Sequence, residues 1–207
     1  MKLTTNSNLI DVDGIHAVDL GDGVRVPEHV TIHAEPGEDD DLPYAVDLEV
    51  VVRDGRLVCE TLALHALEGG EPVTTEGLRR VPVTGIMRHG LVGHVYEPVP
   101  GEPAKFTTFA PDPEIARNGP TEEALRAAAV IYRLAYALGE GPTKAVASAL
   151  ELTHSTAARW VATARDRGYL GPTTQGRAGG VEGTITQTAP AFTQSTETTV
   201  ADPSEEQ

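Results

Sequence analysis

At 207 residues the chain has room for one large domain, or for two small ones and a tail. A hydrophobic fraction of 40% with only 4% aromatics leaves the core to Val, Leu, Ile and Ala, and no run approaches the roughly 20 apolar residues of a membrane span. The net charge of −15 opposes a nucleic-acid partner until its distribution is read: residues 1–110 hold 8 Lys/Arg against 19 Asp/Glu, whereas residues 121–170 hold 6 against 5 and are net positive. Met1-Lys2-Leu3-Thr4-Thr5-Asn6 lacks the apolar core of a signal peptide, and the single cysteine, Cys59, excludes an internal disulfide and a cysteine-rich zinc site. A soluble cytoplasmic protein is the expectation.

Residues 1–100 are expected to form a small, acidic, antiparallel β-rich domain. A first hairpin is read through Ile15–Leu20, the turn Gly21-Asp22-Gly23, and Val24–His33. Asp39-Asp40-Asp41, framed by Pro36-Gly37 and Pro43, reads as a solvated loop. The strongest hairpin signal follows: residues 45–52, then Arg53-Asp54-Gly55, then residues 56–64. Gly tolerates the positive φ of a tight turn, and Val46, Leu48 and Val50 alternate with Asp47 and Glu49 as in a half-buried strand. Cys59 shares a strand face with Leu57, which predicts a buried apolar cysteine rather than a nucleophile. Thr75–Val81 reads as a short helix capped by Thr75, with Pro82 ending it or starting the next turn.

Metal sites find no support. Asp11-Val12-Asp13-Gly14 begins like a calcium loop, but its Gly comes too early and no Glu closes the loop at twelve. The five-residue spacing of His89 and His94 matches neither helix nor strand geometry. No Ser–His–Asp set, phosphate-binding Gly loop or paired carboxylates appear, so no enzyme activity, catalytic residue or cofactor is expected. Pro98, Pro100, Pro103, Pro111 and Pro113 stiffen residues 97–120, and a Pro-rich linker is set at residues 101–120.

Three helices follow. The first starts at Thr121, with Glu122 and Glu123 where the helix dipole favours acids, and runs to Leu138 before Gly139. Leu125, Ala128, Tyr132 and Ala135 line one face and Ile131, Leu134 and Leu138 another, so burial on several sides is expected. Arg126 and Arg133 read as a solvated polar stripe. The second helix is read at Thr143–Leu150, the turn at Glu151-Leu152-Thr153, and the third helix at His154–Arg167.

This segment resembles the helix-turn-helix of bacterial and phage DNA-binding proteins. Counted from Thr143, small Ala147 stands at the fifth position, where the two helices cross. Val146, Leu150, Leu152, Ala157 and Trp160 fill the apolar positions, and Thr153 caps the third helix. The ninth position departs from the pattern: Glu151 stands where Gly is usual. Arg167-Gly168-Tyr169-Leu170 and the glycines after it are similar to the end of a winged helix. With the β-rich residues 1–100, the resemblance gives an α+β chain: a β-rich domain, then, as the resemblance implies, a three-helix helix-turn-helix domain at 121–170 with a short wing, and then a tail. Residues 171–207 divide into the wing-like Gly-rich part and a Thr- and acid-rich stretch expected to be disordered.

The resemblance further implies a sequence-specific duplex-DNA-binding protein, a transcriptional regulator acting as a homodimer on two half-sites. The third helix would enter the major groove, where His154, Ser155, Thr156 and Arg159 would read bases and Arg159 alone could give the bidentate bonds that select guanine. Thr143, Lys144, Arg165 and Arg177 would contact phosphate. Trp160 is read as core rather than as a base-stacking residue. Two other classes stay open: a protein-interaction or adaptor module, favoured by the weak local positive charge and Glu151, and an accessory protein of DNA packaging, replication or recombination. The sequence names no operator and no effector.

Overall fold

The computed structural model describes residues 1–7, 17–37, 42–99, 101–110 and 112–171. In chain order the described elements are β1 (Lys2–Ser7), β2 (Ala17–Gly21), β3 (Val24–Pro27), β4 (His29–Glu35), β5 (Tyr44–Arg53), β6 (Arg56–Ala66), α1 (Thr75–Arg79), α2 (Val83–Gly90), β7 (Tyr96–Val99), β8 (Glu102–Thr108), a 3-10 helix (Pro113–Ala116), α3 (Glu122–Ala137), α4 (Pro142–Ala149) and α5 (His154–Asp166). The fold is α+β, with two four-stranded antiparallel sheets in the orders β1-β4-β5-β6 and β2-β3-β7-β8. No helix among the described residues is long and apolar enough to cross a membrane.

Both expected hairpins form on an Asp-Gly pair. Asp54 and Gly55 sit at φ +50 and +68, and Asp22 and Gly23 at +57 and +80, which is the paired positive φ that matches the twist of the flanking strands. Val46, Leu48 and Val50 of β5 are buried while Asp47 and Glu49 stay half-exposed, as the alternation requires. Register shifts once: Val50 pairs Cys59 but Glu49 pairs Thr61, leaving Glu60 as the extra residue of a bulge. Cys59 is half-buried rather than buried, its Sγ lies 3.2 Å from the Thr61 carbonyl, and burial pushes its thiol up, away from the reactive thiolate.

Four expectations are corrected. The run Val24–His33 is two strands in different sheets, because the chain leaves β3 at Pro27, which has no N–H for a ladder, and turns at Glu28 into β4. Residues 1–100 carry α2 besides the expected short helix α1, and Thr74, not Thr75, caps α1, its side chain accepting from the Gly77 N–H at 3.0 Å. The stretch 101–120 is no bare linker, since it holds β8, paired to β7, and the 3-10 helix capped by Asp112. Arg126 and Arg133 do not form a solvated stripe: Arg133 is 3% exposed and Arg126 is half-buried. Residues 11–14, 39–41 and 172–207, with the calcium-loop fragment, the acidic loop, most of the wing-like segment and the tail, lie outside the described residues.

One apolar cluster runs from the sheets into the helices. α2 packs on β1 and β4, with Gly90 so close to Ile32 that an added Cβ would stand 2.5 Å from its Cδ1. Tyr44 is fully buried, and its hydroxyl donates to the Pro72 carbonyl and accepts from the Thr74 N–H, each at 3.1 Å, which fastens the chain before α1 to the first sheet. α3 contacts β2, β3 and β6 as well as α4 and α5, so most of its apolar circumference is buried within this one chain.

Candidate nucleic-acid interface

α3, α4 and α5 are joined by two short turns built the same way. α3 ends with Gly139 at φ +74, Gly139 N–H bonding the Tyr136 carbonyl and Glu140 N–H bonding the Ala135 carbonyl. α4 ends with Leu152 N–H on the Ala147 carbonyl at 2.9 Å and Glu151 at φ +52. α5 repeats the arrangement with Gly168 at φ +78 and Tyr169 N–H on the Ala164 carbonyl. The position after each helix thus needs a left-handed backbone, and only the middle one lacks glycine. The departure from pattern at Glu151 is a conformational cost, since L-residues reach this region with strain.

Thr153 opens α5, its Oγ1 accepting from Thr156 N–H at 3.2 Å. Thr156 Oγ1 lies 2.8 Å and Ser155 Oγ 3.1 Å from the same oxygen. Val146, Leu150, Ala157 and Trp160 are buried, with Trp160 4% exposed, so the indole belongs to the core. Ala147 and Leu152 are half-buried and pack against that core.

The other face of α5 is open. His154, Ser155, Ala158, Arg159, Ala162, Asp166 and Arg167 are exposed, and Lys144, Ser148 and Glu151 are exposed beside them in sequence on α4 and the turn. Three of the sequence-predicted base readers, His154, Ser155 and Arg159, stand on this strip; Thr156 is half-buried and its hydroxyl serves the cap. Of the predicted phosphate contacts Lys144 is exposed, Thr143 is half-buried, and Arg177 lies outside the described residues. Arg165 is half-buried with its guanidinium 4.8 Å from the Tyr132 ring, and its Nε is enclosed, so it belongs to the α3–α5 contact rather than to the open strip.

Arg165 is one case of a wider arrangement. Arg126 lies 5.1 Å over the Tyr169 ring and donates to Glu122 at 2.7 Å, and Arg133 lies 5.6 Å from the Tyr136 ring. Half of the six basic residues of 121–170 are therefore spent on tyrosines inside the fold. Lys144, Arg159 and Arg167 remain exposed, as do the acids Glu151 and Asp166. What the sequence pattern missed is the smallness of the strip: Ala158 and Ala162, one and two turns after His154, leave the backbone of α5 close to whatever it meets. Their i, i+4 spacing on the side opposite Ala157 and Trp160 was the available signal. Beside the start of α3 a cavity of about 520 Å³ is lined by four acids, Glu97, Asp112, Glu122 and Glu123, and one cation, Arg126, and burial pushes the Glu97 carboxyl up.

Compared with protein-family models, curated proteins and solved structures, the chain matches none.

Proposed function

We propose that α4 and α5 act as a helix-turn-helix and that the protein binds duplex DNA sequence-specifically, as a transcriptional regulator of a bacterium or phage. The observation that carries this reading is the exposed strip of α5. A single long cation, Arg159, rises among Ser155, Ala158 and Ala162, so the helix backbone has room to sit deep in a major groove while one guanidinium reaches a guanine edge. His154 and Ser155 at the N-terminal end supply further groups for base edges, and Lys144 and Arg167 supply phosphate contacts. A homodimer would present two copies of α5 to half-sites roughly 34 Å apart.

A second reading has its own support. With Arg126, Arg133 and Arg165 turned onto tyrosines, the open face keeps three cations beside two acids in a chain of net charge −15, a balance suited to a protein-docking module. Selection of the full chain on a random duplex library, followed by titration of the enriched duplex at several salt concentrations, separates the two. DNA binding with Arg159 on a base and Lys144 and Arg167 on phosphate gives an enriched motif and a log–log salt slope of roughly −2 per protomer, from about −0.9 per neutralised phosphate. Absence of enrichment moves the docking module to first place.

A further inference from the structure

We propose that the cavity between α2, α3 and α4 binds a small organic monocarboxylate, with its apolar body in the cavity and its anionic end on Arg88. This site is separate from the exposed strip of α5, and the inference goes beyond the DNA-binding reading without depending on it. The cavity holds about 360 Å³, a size within the roughly 300–1,000 Å³ of small-molecule pockets. Its apolar lining includes Leu91, Val95, Phe109, Ile131 and Leu134, and α4 contributes only small side chains, among them Ala145 and Ser148. Nothing bulky from α4 fills the space, so a ligand's apolar part would replace water against side chains that are otherwise core.

The polar groups select the charge. Arg88 lines the cavity with a half-exposed side chain. Both of its bonds to Glu140, at 3.1 and 3.4 Å to the two carboxylate oxygens, come from Nη1. A guanidinium carries five N–H donors in a fixed fork, so the Nη2 side is open to a second carboxylate. His89 Nδ1 lies 2.7 Å from the Gly85 carbonyl, which can only accept, so Nδ1–H donates there and is not available to a ligand. Arg88 is already partnered by Glu140 at 3.1 Å, so the site favours a ligand of low negative charge over a dianion. The Ser148 hydroxyl is a further donor or acceptor for the ligand's polar end.

The test is isothermal titration of the full chain with phenylacetate, 3-phenylpropionate and hexanoate, each beside its neutral amide, and with phenyl phosphate as the dianion. The expected result is saturable binding of at least one carboxylate at or below about 1 mM, with its amide and phenyl phosphate at least about tenfold weaker, the equivalent of about 1.4 kcal/mol. Arg88→Gln, at a half-exposed position that leaves the fold intact, should bring acid and amide to equal affinity. Ala145→Leu should weaken acid and amide together by filling the cavity. The proposal is overturned if no carboxylate saturates, if the amide binds as tightly as its acid, or if the acid keeps its advantage in Arg88→Gln. Should Ala145→Leu fail to fold, the Arg88→Gln comparison decides alone.

Discussion

The guanidinium of Arg56 lies 4.0 Å over the Tyr136 ring, and its Nη1 donates to the Tyr136 backbone carbonyl. Arg56 begins β6 and Tyr136 sits in the last turn of α3, so this one side chain joins the first sheet to the helix on which α4 and α5 are packed. The carbonyl lies in the last turn of α3, where it also accepts from the Gly139 N–H at 3.1 Å, and a cation suits that end of the helix dipole. Arg56→Ala should cost about 1–2 kcal/mol, from the lost charged hydrogen bond and the ring contact. Tyr136→Leu keeps the carbonyl and removes only the ring, so it should cost less at Arg56's expense, and the double variant should fall short of the sum. Urea unfolding of the three variants measures this; strictly additive losses would show that the two residues are not coupled.

Glu151→Gly should raise stability. At φ +52 Glu151 holds a conformation that glycine adopts freely, and its counterparts after α3 and α5 are Gly139 and Gly168. Relief of the left-handed strain, offset by glycine's greater freedom in the unfolded chain, leaves a gain of about 0.5–1 kcal/mol. The denaturation midpoint should rise with an unchanged m-value. An Ala at the same place relieves nothing, so Glu151→Ala serves as the control, and equal midpoints for Ala and Gly would refute the backbone explanation.

Much of the architecture was legible because local chemistry decided it. Two Asp-Gly turns, the alternation of β5, the caps Thr121 and Thr153 and the stop at Gly139 all sit where the sequence places them. The errors arise where tertiary packing overrides local signal. α2 is short, contains two glycines, and forms where Gly90 meets Ile32 of β4, which the sequence of α2 alone does not announce. β7 and β8 pair despite Pro98 and Pro103. Arg133 looks like a surface residue by type, yet tertiary packing leaves it 3% exposed, with its guanidinium 5.6 Å from the Tyr136 ring. For the candidate site, periodicity separated the buried Ala157 and Trp160 from the open Arg159, but pattern alone could not show that Arg165 and Thr156 turn inward to Tyr132 and to the cap.

A pH dependence follows from a carboxylate held between two imidazoles on the first sheet. Asp47 Oδ1 lies 2.5 Å from His33 Nδ1, and Oδ2 lies 2.8 Å from His65 Nε2. The bond to Asp47, with a weaker one to Glu35, raises the His33 imidazole above its ordinary 6.5, and the bond to His33 lowers Asp47 below its ordinary 3.8. The His33 contribution to stability is therefore full below pH 6.5 and is lost as pH rises through the raised folded value. The Asp47 contribution is present above 3.8 and is lost as pH falls through the lowered one. These groups are about 40% exposed, so screening holds the whole effect to a few tenths of a kcal/mol, about the range of surface ion pairs. The stability difference between the native chain and Asp47→Asn, measured from pH 4 to 9, should be widest on the acid side of the His33 titration and shrink above it. A difference that stays flat across that range would exclude the pair as its source.

The division of cations around α5 makes the DNA-binding proposal testable residue by residue. Arg159 stands on the open strip, Lys144 is exposed on α4, and Arg165 faces the Tyr132 ring. If Arg159 reads a base, Arg159→Ala should cost about 1–3 kcal/mol on the selected duplex and much less on a scrambled one, relaxing preference at one base pair. Lys144→Ala should weaken both duplexes alike and make the salt slope shallower by about 0.9, as the loss of one phosphate contact requires. Arg165→Ala should instead lower stability by about 1 kcal/mol, while leaving the salt slope of the folded protein unchanged, because its charge is spent on the ring. Fluorescence anisotropy on both duplexes at three salt concentrations, with thermal unfolding of each variant, reads all three effects. A salt slope altered by Arg165→Ala would put its charge on phosphate rather than on the Tyr132 ring, and an Arg159→Ala loss equal on both duplexes would take base reading away from the open face of α5.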